Sequence, residues 1–392
     1  MGRIYFVSAL NVGDHVYGGA SILSLAYLQA VSAVAPGRVT LVGPLALERA
    51  PLLPPGIDDV IRIPERGPIT KLAWLAAGKS VDRLSPFVDR LINRLDLSGA
   101  LFFFNGSSGG RLVYALRRRG VPSITLFHNV EERFWAYTEH NPLMRAMRCR
   151  TAAINDRLAF AHSAASILLS PDDAAIMRGQ ARQQVPGGVV LDDGYFAPRP
   201  AAGDSVVPPP AGTADLLVNC SLGLPQNQPG LEAFIRRCWA RYACTSALAE
   251  SRLVLAGANP SAHLMDLASR YPRIEVVANP SDGRMESLFA RCFACVSTID
   301  GGSGIKVRVA EALRRGRPVI ATPHSCIGYE RIDPRILRRA SIDEMGTALA
   351  AIVADWRGGT DLASQARREF DRVLSFDAGA LRVGELVRSL YR

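Results

Sequence analysis

Short runs of continuously apolar residues recur along this chain, and each is followed by a stretch with helical periodicity. RIYFVSA, RVTLVG, ALFFFNG, SITLFHN and ASILLS form one series between residues 3 and 170. DLLVNCSL, RLVLAG, RIEVVAN, FACVSTI and RPVIAT form a second between residues 215 and 322. A strand that is apolar at every position is buried on both faces, the environment of a parallel sheet covered by helices. Parallel neighbours need a crossover connection, and stretches such as ASILSLAYLQAVSAV and LEAFIRRCWARY supply it. The expected fold class is therefore α/β, as two doubly wound Rossmann-like domains facing a central cleft. Ligands of such sheets meet the carboxyl ends of the strands.

The break between the two series is compositional. Proline and glycine concentrate from Pro186 to Gly212, which reads as an interdomain linker. The expected organisation is an N-terminal domain over 1–200, a linker over 201–214 and a second domain over 215–375. A terminal amphipathic helix over 376–392 is expected to pack back on the first domain. At 392 residues the chain exceeds what one ordinary core supports. No apolar run approaches the roughly 18 residues of a membrane helix, and the opening MGRIYFVSALNVGD reads as a first strand rather than a leader. Seven scattered cysteines, an odd number, fit a reducing cytoplasm, and Cys292-x-x-Cys295 has no second pair at zinc spacing. Those two are expected to be core residues.

The formal charge is +10, carried by 43 arginines and only three lysines, Lys71, Lys79 and Lys306. Nine arginines face four acids between Arg111 and Arg157. No aromatic-interleaved RNA motif or zinc finger accompanies them, so nucleic acid is not expected as a partner. An anionic membrane surface or a phosphorylated lipid substrate fits the 111–157 stretch, as does a plainly solvated arginine-rich face. The expected location is cytoplasmic, with peripheral attachment at the inner face of the membrane left open.

Four places put glycine or polar residues after strands. In NVGDHVYGGAS, Gly18 and Gly19 open a helix and let backbone approach a ligand, or else form an ordinary βα turn. His128 follows SITLF and is succeeded by Asn129 and Glu131; a histidine there can donate to a sugar hydroxyl or carbonyl. In NCSLGLPQNQPG, Ser221 and Asn227 offer neutral hydrogen bonds, and taken alone the segment reads as a turn. In GGSGIKVRVAEALRRGRPVIAT, Gly302 and Gly304 permit close approach of a diphosphate and Lys306 supplies a compact positive charge in the first helical turn. Glu311 follows in apolar company and needs partners: the two hydroxyls of a ribose, or a salt bridge to Arg308 or Arg315.

With these segments in view, the chain resembles the retaining glycosyltransferases of family 4, which have the GT-B fold. GGSGIKVRVAEALRRGRPVIAT is similar to the family's G-x-G-x-K-x-K-x-x-E-A-L-A-x-G-x-P-V-V-A-T signature, and VPGGVVLDDGYFAPRP to its interdomain pattern. NCSLGLPQNQPGLEAFIRRCW looks like its first strand, loop and helix of the second domain, and FHNVEERFW resembles the His-Asn-Val-Glu segment of the exopolysaccharide and capsule branch. The resemblance implies a hexosyltransferase using a UDP- or GDP-linked sugar, a saccharide or polyprenyl-linked saccharide acceptor, and a role in surface polysaccharide or glycoconjugate synthesis. It implies no metal and no cofactor. Residue by residue, it places Gly18, Gly19, Ser221, Asn227, Gly302, Ser303, Gly304, Lys306 and Glu311 at the donor. His128, Lys306 and Glu311 become the catalytic set, and Asn129 and Glu131 fall on the acceptor side. Two positions depart from the pattern: Ser303 stands where the first motif glutamate is usual, and neutral Ser221 and Asn227 stand near an arginine and a lysine often found there. An epimerase or hydrolase of the same fold, or a non-catalytic nucleotide-sugar-binding protein, would share most of these residues.

Overall fold

The structure is a computed structural model and describes residues 2–9, 19–43, 53–63, 68–76, 92–93, 95–180, 188–199, 215–242, 251–302 and 304–391. Gly18, Ser303 and the 201–214 linker lie outside the described residues. Contacts divide the chain into two units. The first comprises Met1–Arg199, Gly302–Ile305 and Ser375–Arg392; the second comprises Pro200–Gly301 and Lys306–Leu374.

The first unit is built on strands β1 (Ile4–Ser8), β2 (Val39–Gly43), β3 (Ile57–Arg62), β4 (Leu101–Asn105), β5 (Ser123–Phe127), β6 (Ala165–Leu168) and β7 (Val189–Leu191). They form one sheet in the order β3-β2-β1-β4-β5-β6-β7, with every pair parallel. The strand order reverses direction beside β1, so the carboxyl ends of β1 and β4 form the switch point where a doubly wound sheet opens a crevice. β1, β2, β4 and β5 are buried at every residue, which is why they read as unbroken apolar runs. Phe6 stacks on Phe103 and Tyr5 on Phe102, with ring centroids 5.1 and 4.8 Å apart, adding aromatic contact to the β1–β4 ladder.

The second unit repeats the plan with β8 (Asp215–Asn219), β9 (Arg252–Gly257), β10 (Ile274–Ala278), β11 (Cys292–Ser297), β12 (Val319–Ala321) and β13 (Leu337–Arg339). Its order, β10-β9-β8-β11-β12-β13, is again all parallel and reverses between β8 and β11. Cys292 and Cys295 are 1% and 2% exposed within β11, so the C-x-x-C pair belongs to the core. Burial pushes the Cys295 thiol well above its ordinary value, which keeps it protonated and unreactive.

Three strands were not anticipated from the sequence, β3, β7 and β13, and all three lie at sheet edges. An edge strand is half exposed, so its apolar signal is diluted: β3 reads IDDVIR with both aspartates exposed. β7 corrects the extent of the linker. The proline- and glycine-rich segment begins inside the first unit, where Val189–Leu191 pairs with β6 and Phe196 is 1% exposed.

Helix α1 (Gly19–Val34) crosses from β1 to β2, and the last helix of the described chain, Phe376–Leu390, packs on it within the first unit. Phe196 is the hinge of this packing. It lies 4.8 Å from the Tyr27 ring and 6.0 Å from that of Phe376, while Arg199 covers the far side of Phe376 at 4.6 Å. The Tyr27 hydroxyl donates to Gly194 O at 2.5 Å, tying α1 to the segment after β7. Tyr391 likewise donates to Gly2 O.

A Cβ added at Gly379 would lie 2.1 Å from the Phe196 ring, whereas at Gly283, also helical, it would meet nothing within 4 Å. Gly379→Ala is therefore expected to destabilise by about 1–3 kcal/mol through overpacking, despite alanine's better helix propensity. Gly283→Ala should stabilise by up to about 1 kcal/mol. Denaturant melts of the two variants against the parent protein check both signs.

Candidate functional site

In the first unit the polar residues that end the apolar strands meet one another. The Ser24 hydroxyl on α1 donates to Ala20 O at 2.7 Å, so its oxygen is left to accept. Asn105, the last residue of β4, donates through Nδ2 to Ser24 Oγ at 2.7 Å and to Ser8 Oγ at 2.9 Å. These bonds fix the amide with its nitrogen toward the serines and Oδ1 toward His128. The 2.9 Å contact between His128 Nε2 and Asn105 Oδ1 then requires the proton on Nε2.

Burial lowers the His128 pKa to about 4, so the ring is neutral near pH 7 and Nδ1 is a bare lone pair. Nδ1 is buried and has no hydrogen-bond partner. An orphaned buried acceptor costs about 1–3 kcal/mol until a donor arrives. The unpartnered nitrogen of His128 is thus an acceptor, where the sequence alone suggested a donor. Beside it, Asn129 donates to the Glu131 carboxylate at 3.3 Å, and Glu131 opens helix α4 (Glu131–Thr138). Helices α2 (Pro68–Ala76) and α3 (Gly110–Arg118) precede it.

Gly19 starts α1. Gly302 and Gly304 have φ of +102° and +72°, conformations that L side chains rarely adopt. Gly304 belongs to the first unit, and a Cβ there would lie 2.1 Å from Asn129 Oδ1 and 3.0 Å from His128 O. Only glycine fits this position.

The second unit gathers the remaining residues at the carboxyl ends of β8 and β11. Lys306, 7% exposed, is the N-cap residue of the helix Val307–Arg314. Its carbonyl accepts from the Tyr329 hydroxyl at 3.0 Å and from Val309 N at 2.9 Å, which fixes the backbone from which the ammonium springs. The loop ahead of it is pinned by buried hydroxyls: Thr322 and Ser325 both donate to Ile299 O, Ser325 at 2.8 Å, while Ser297 donates to Ser325 at 2.9 Å. Glu311, one turn on, is held by Arg308 at 2.5 Å, Arg315 at 3.4 Å and Asn219 Nδ2 at 3.3 Å. The salt-bridged arrangement that the sequence offered for Glu311 is the one present. Arg308, Asn219, Cys220, Ser297 and Thr298 enclose a cavity of about 10 Å³ at this switch point, the space of one water.

Asn227 donates to Ser221 O at 2.8 Å and closes the turn after β8. Its own Oδ1 is buried without a hydrogen-bond partner. The next residues begin a helix, Gln228–Ala233, that continues as a π-helical stretch over Phe234–Trp239. Gly230 sits so close to β11's exit that an added Cβ would lie 1.8 Å from Thr298 O.

Sequence reading missed Asn105, Ser8 and Ser24, although FFFNG ends in a polar residue just as SITLFHN does. It also missed Asn219, the residue between the apolar run of β8 and the turn. Among the described residues, no group of three or more His, Cys, Asp or Glu is placed to hold a metal ion.

Residues 215–355 match the family model of glycosyl transferases group 1, which covers most of the second unit. No curated protein sequence is a match. Among solved structures, sucrose-phosphate synthase from Thermosynechococcus elongatus aligns over 100% of this chain and 99% of its own, with TM-score 0.71 and 17% identity. HepE from Anabaena in complex with UDP aligns over 99% and 100%, with TM-score 0.63 and 14% identity. WaaG, a glycosyltransferase involved in lipopolysaccharide biosynthesis, aligns over 98% and 99%, with TM-score 0.63 and 12% identity. The chain has the GT-B fold. Within its second unit, residues 215–355 are similar to the glycosyl transferases of group 1.

The lowered His128 pKa has a defined sign. Folding favours the neutral ring, so its contribution is complete above the ordinary pKa of 6.5 and is lost as pH falls through the interval down to about 4. The loss is on the order of 3 kcal/mol. Replacing His128 by Asn should flatten the fall in melting temperature between pH 6.5 and 4.5 relative to the parent protein. An unchanged slope would place the acid sensitivity elsewhere.

Proposed function

We propose that this protein transfers a sugar from a nucleotide-diphosphate sugar to a saccharide or polyprenyl-linked saccharide, with retention at the anomeric carbon. The observation that carries this reading is Lys306: a buried lysine at a helix N-terminus, one turn before Glu311, inside the segment that matches the group 1 glycosyl transferases. A diphosphate leaving group needs positive charge where its own charge develops, and preorganised electrostatics of this kind is usually the largest catalytic term. The ammonium and the amides at the start of the helix supply it, with Gly302 and Gly304 giving the phosphates access.

Glu311 takes the ribose hydroxyls in this reading, exchanging its hold on Arg308 and Arg315 for them. Arg308, released from the carboxylate, then adds a second cation near the phosphates in place of those missing at Ser221 and Asn227. His128 Nδ1 accepts a hydroxyl of the sugar being transferred. A phosphate oxygen takes the acceptor's proton, so the reaction needs no protein base. Ser303, where a glutamate is usual, relaxes recognition of the donor sugar, and Asn129 and Glu131 orient the acceptor. HepE structures hold UDP and UDP-glucose, which makes uridine compounds the first donors to try and GDP sugars the second.

Surface polysaccharide or glycoconjugate synthesis at the inner face of the cytoplasmic membrane fits the charge of the first unit. Among the described residues, no helix is long and apolar enough to cross a membrane. Arg117, Arg118 and Arg119 end α3 exposed, and Leu143 and Tyr137 nearby in sequence are 71% and 43% exposed. Arginine with exposed apolar tips suits an anionic lipid surface that carries the acceptor.

Lys306→Ala should lower kcat by about 10²–10³ while leaving the melting temperature within a few degrees. UDP or GDP should raise the melting temperature of the parent protein, and Lys306→Ala should blunt that rise. Product analysis with and without acceptor separates transfer from epimerisation or hydrolysis, and nucleotide binding without turnover identifies a binder. For the membrane, charge reversal at Arg117, Arg118 and Arg119 should abolish co-sedimentation with vesicles containing anionic lipid. Equal recovery with neutral vesicles would count against the lipid surface.

A further inference from the structure

Asp156 lies on the long helix α5 (Pro142–His162), is fully buried, and meets the proposed site only through the backbone amide of Glu131, not through any side chain the reaction uses. Its Oδ1 accepts from the Ser107 hydroxyl at 2.5 Å and its Oδ2 from the backbone amide of Glu132 at 3.3 Å. Ser107 is two residues beyond Asn105, and Glu132 is four residues beyond His128. One carboxylate therefore bridges the two strand-end segments whose last polar residues form the 2.9 Å His128–Asn105 bond. The preceding residue, Asn155, serves a third segment by accepting from Arg111 N at 3.3 Å, at the start of α3.

We propose that Asp156 is the positioning residue of the histidine: ionised, it clamps the segment after β4 to the N-terminus of α4 and so holds His128 Nδ1 in the orientation that meets the sugar. The proposal rests on the glycosyl-transfer reading for what His128 does, but the clamp itself is a property of the first unit alone.

The bridge is strongest as the carboxylate, whose two charged oxygens both accept; the protonated acid accepts from Glu132 only at its carbonyl oxygen and must turn its bond with Ser107 into one it donates. Burial raises the Asp156 pKa to about 7, against the lowering effect of the Ser107 hydroxyl and the Glu132 and Glu131 amides. The charged group facing it from α4 is the Glu132 carboxylate, which opposes ionisation and is itself bonded to Gln180 of α6 (Pro171–Gln180) at 3.4 Å. The turn after β4 presents the neutral Ser107, and Arg111 of α3 is exposed. The sign follows. The clamping form is populated as pH rises through about 7. Because the folded state favours the protonated acid, the stabilising contribution of this group is complete below the ordinary value of 3.8 and is lost as pH rises from there to about 7. Clamping and stability run in opposite directions with pH, as expected of a group retained for geometry.

The test is Asp156→Asn, which keeps the shape but offers one acceptor in place of two. In the parent protein the Glu132 amide resonance should shift with pH, with a midpoint near 7, and in the variant that titration should vanish. In turnover, kcat of the parent should rise across the same interval. The variant should lose the limb, with kcat lower by about 10–100-fold and donor KM within about threefold, since misplacement costs rate more than binding. Ser107→Ala, which removes one of the two bonds, should fall between them, and it decides the matter together with the parent's amide titration if Asp156→Asn does not fold. A Glu132 amide that does not titrate, or an Asp156→Asn variant with parental kcat and pH profile, overturns the clamp. A parent protein with no transferase turnover overturns the glycosyl-transfer reading instead, and the amide titration still decides the clamp.

Discussion

Parallel strand pairing is the constraint from which the rest of this molecule follows. Two parallel neighbours cannot be joined by a tight turn, so every connection leaves the carboxyl edge of the sheet and returns to the amino edge through a covering segment. All loops that follow strands are thereby collected along one edge. In the first unit that edge carries Ser8, Asn105 and His128; in the second it carries Asn219 and Ser297. Residues far apart in sequence, such as Ser8 and Asn105, become hydrogen-bonded neighbours because the strands they end are adjacent and in register.

The same constraint explains what could be read from the sequence. Central strands are buried on both faces and announce themselves as unbroken apolar runs, so β1, β4, β8 and β11 were legible without a structure. Edge strands have one open side, and β3, β7 and β13 were missed because their residues are free to be polar or their runs short. The candidate site was legible wherever glycine or charge stood out against its surroundings, as with Gly304 and Lys306. It was illegible where the informative residue was a neutral amide or an acid in an ordinary helix. Asn105 settles the tautomer of His128, and Asp156 bridges two loops, yet neither carries a signal that separates it from a solvated residue.

The chemistry of the two units is complementary in kind. The second unit is rich in fixed charge at its strand ends, with Lys306 and the Arg308–Glu311–Arg315 group. The first presents a neutral, desolvated acceptor in His128 Nδ1, its ring held by Asn105, which Ser8 and Ser24 hold in turn. Under the proposed function, the former would meet a nucleotide diphosphate and the latter a sugar hydroxyl. Buried polar groups left waiting for a partner, His128 Nδ1 and Asn227 Oδ1, are tolerated at a cost that ligand binding would return.

The first unit is discontinuous: the chain leaves it after Arg199, builds the second unit with Gly302–Ile305 alone returning to the first, and comes back at Ser375. During synthesis the seven-stranded sheet is therefore translated long before the helix that covers α1, while every residue of the second unit is made in between. Until Phe376 and Gly379 arrive, the face around Phe196 and Tyr27 has no lid, and the nascent sheet exposes an aromatic surface for as long as the ribosome takes to complete its neighbour. Domain-by-domain folding would then run in the order second unit, first unit, the reverse of the order in which their sheets are encoded.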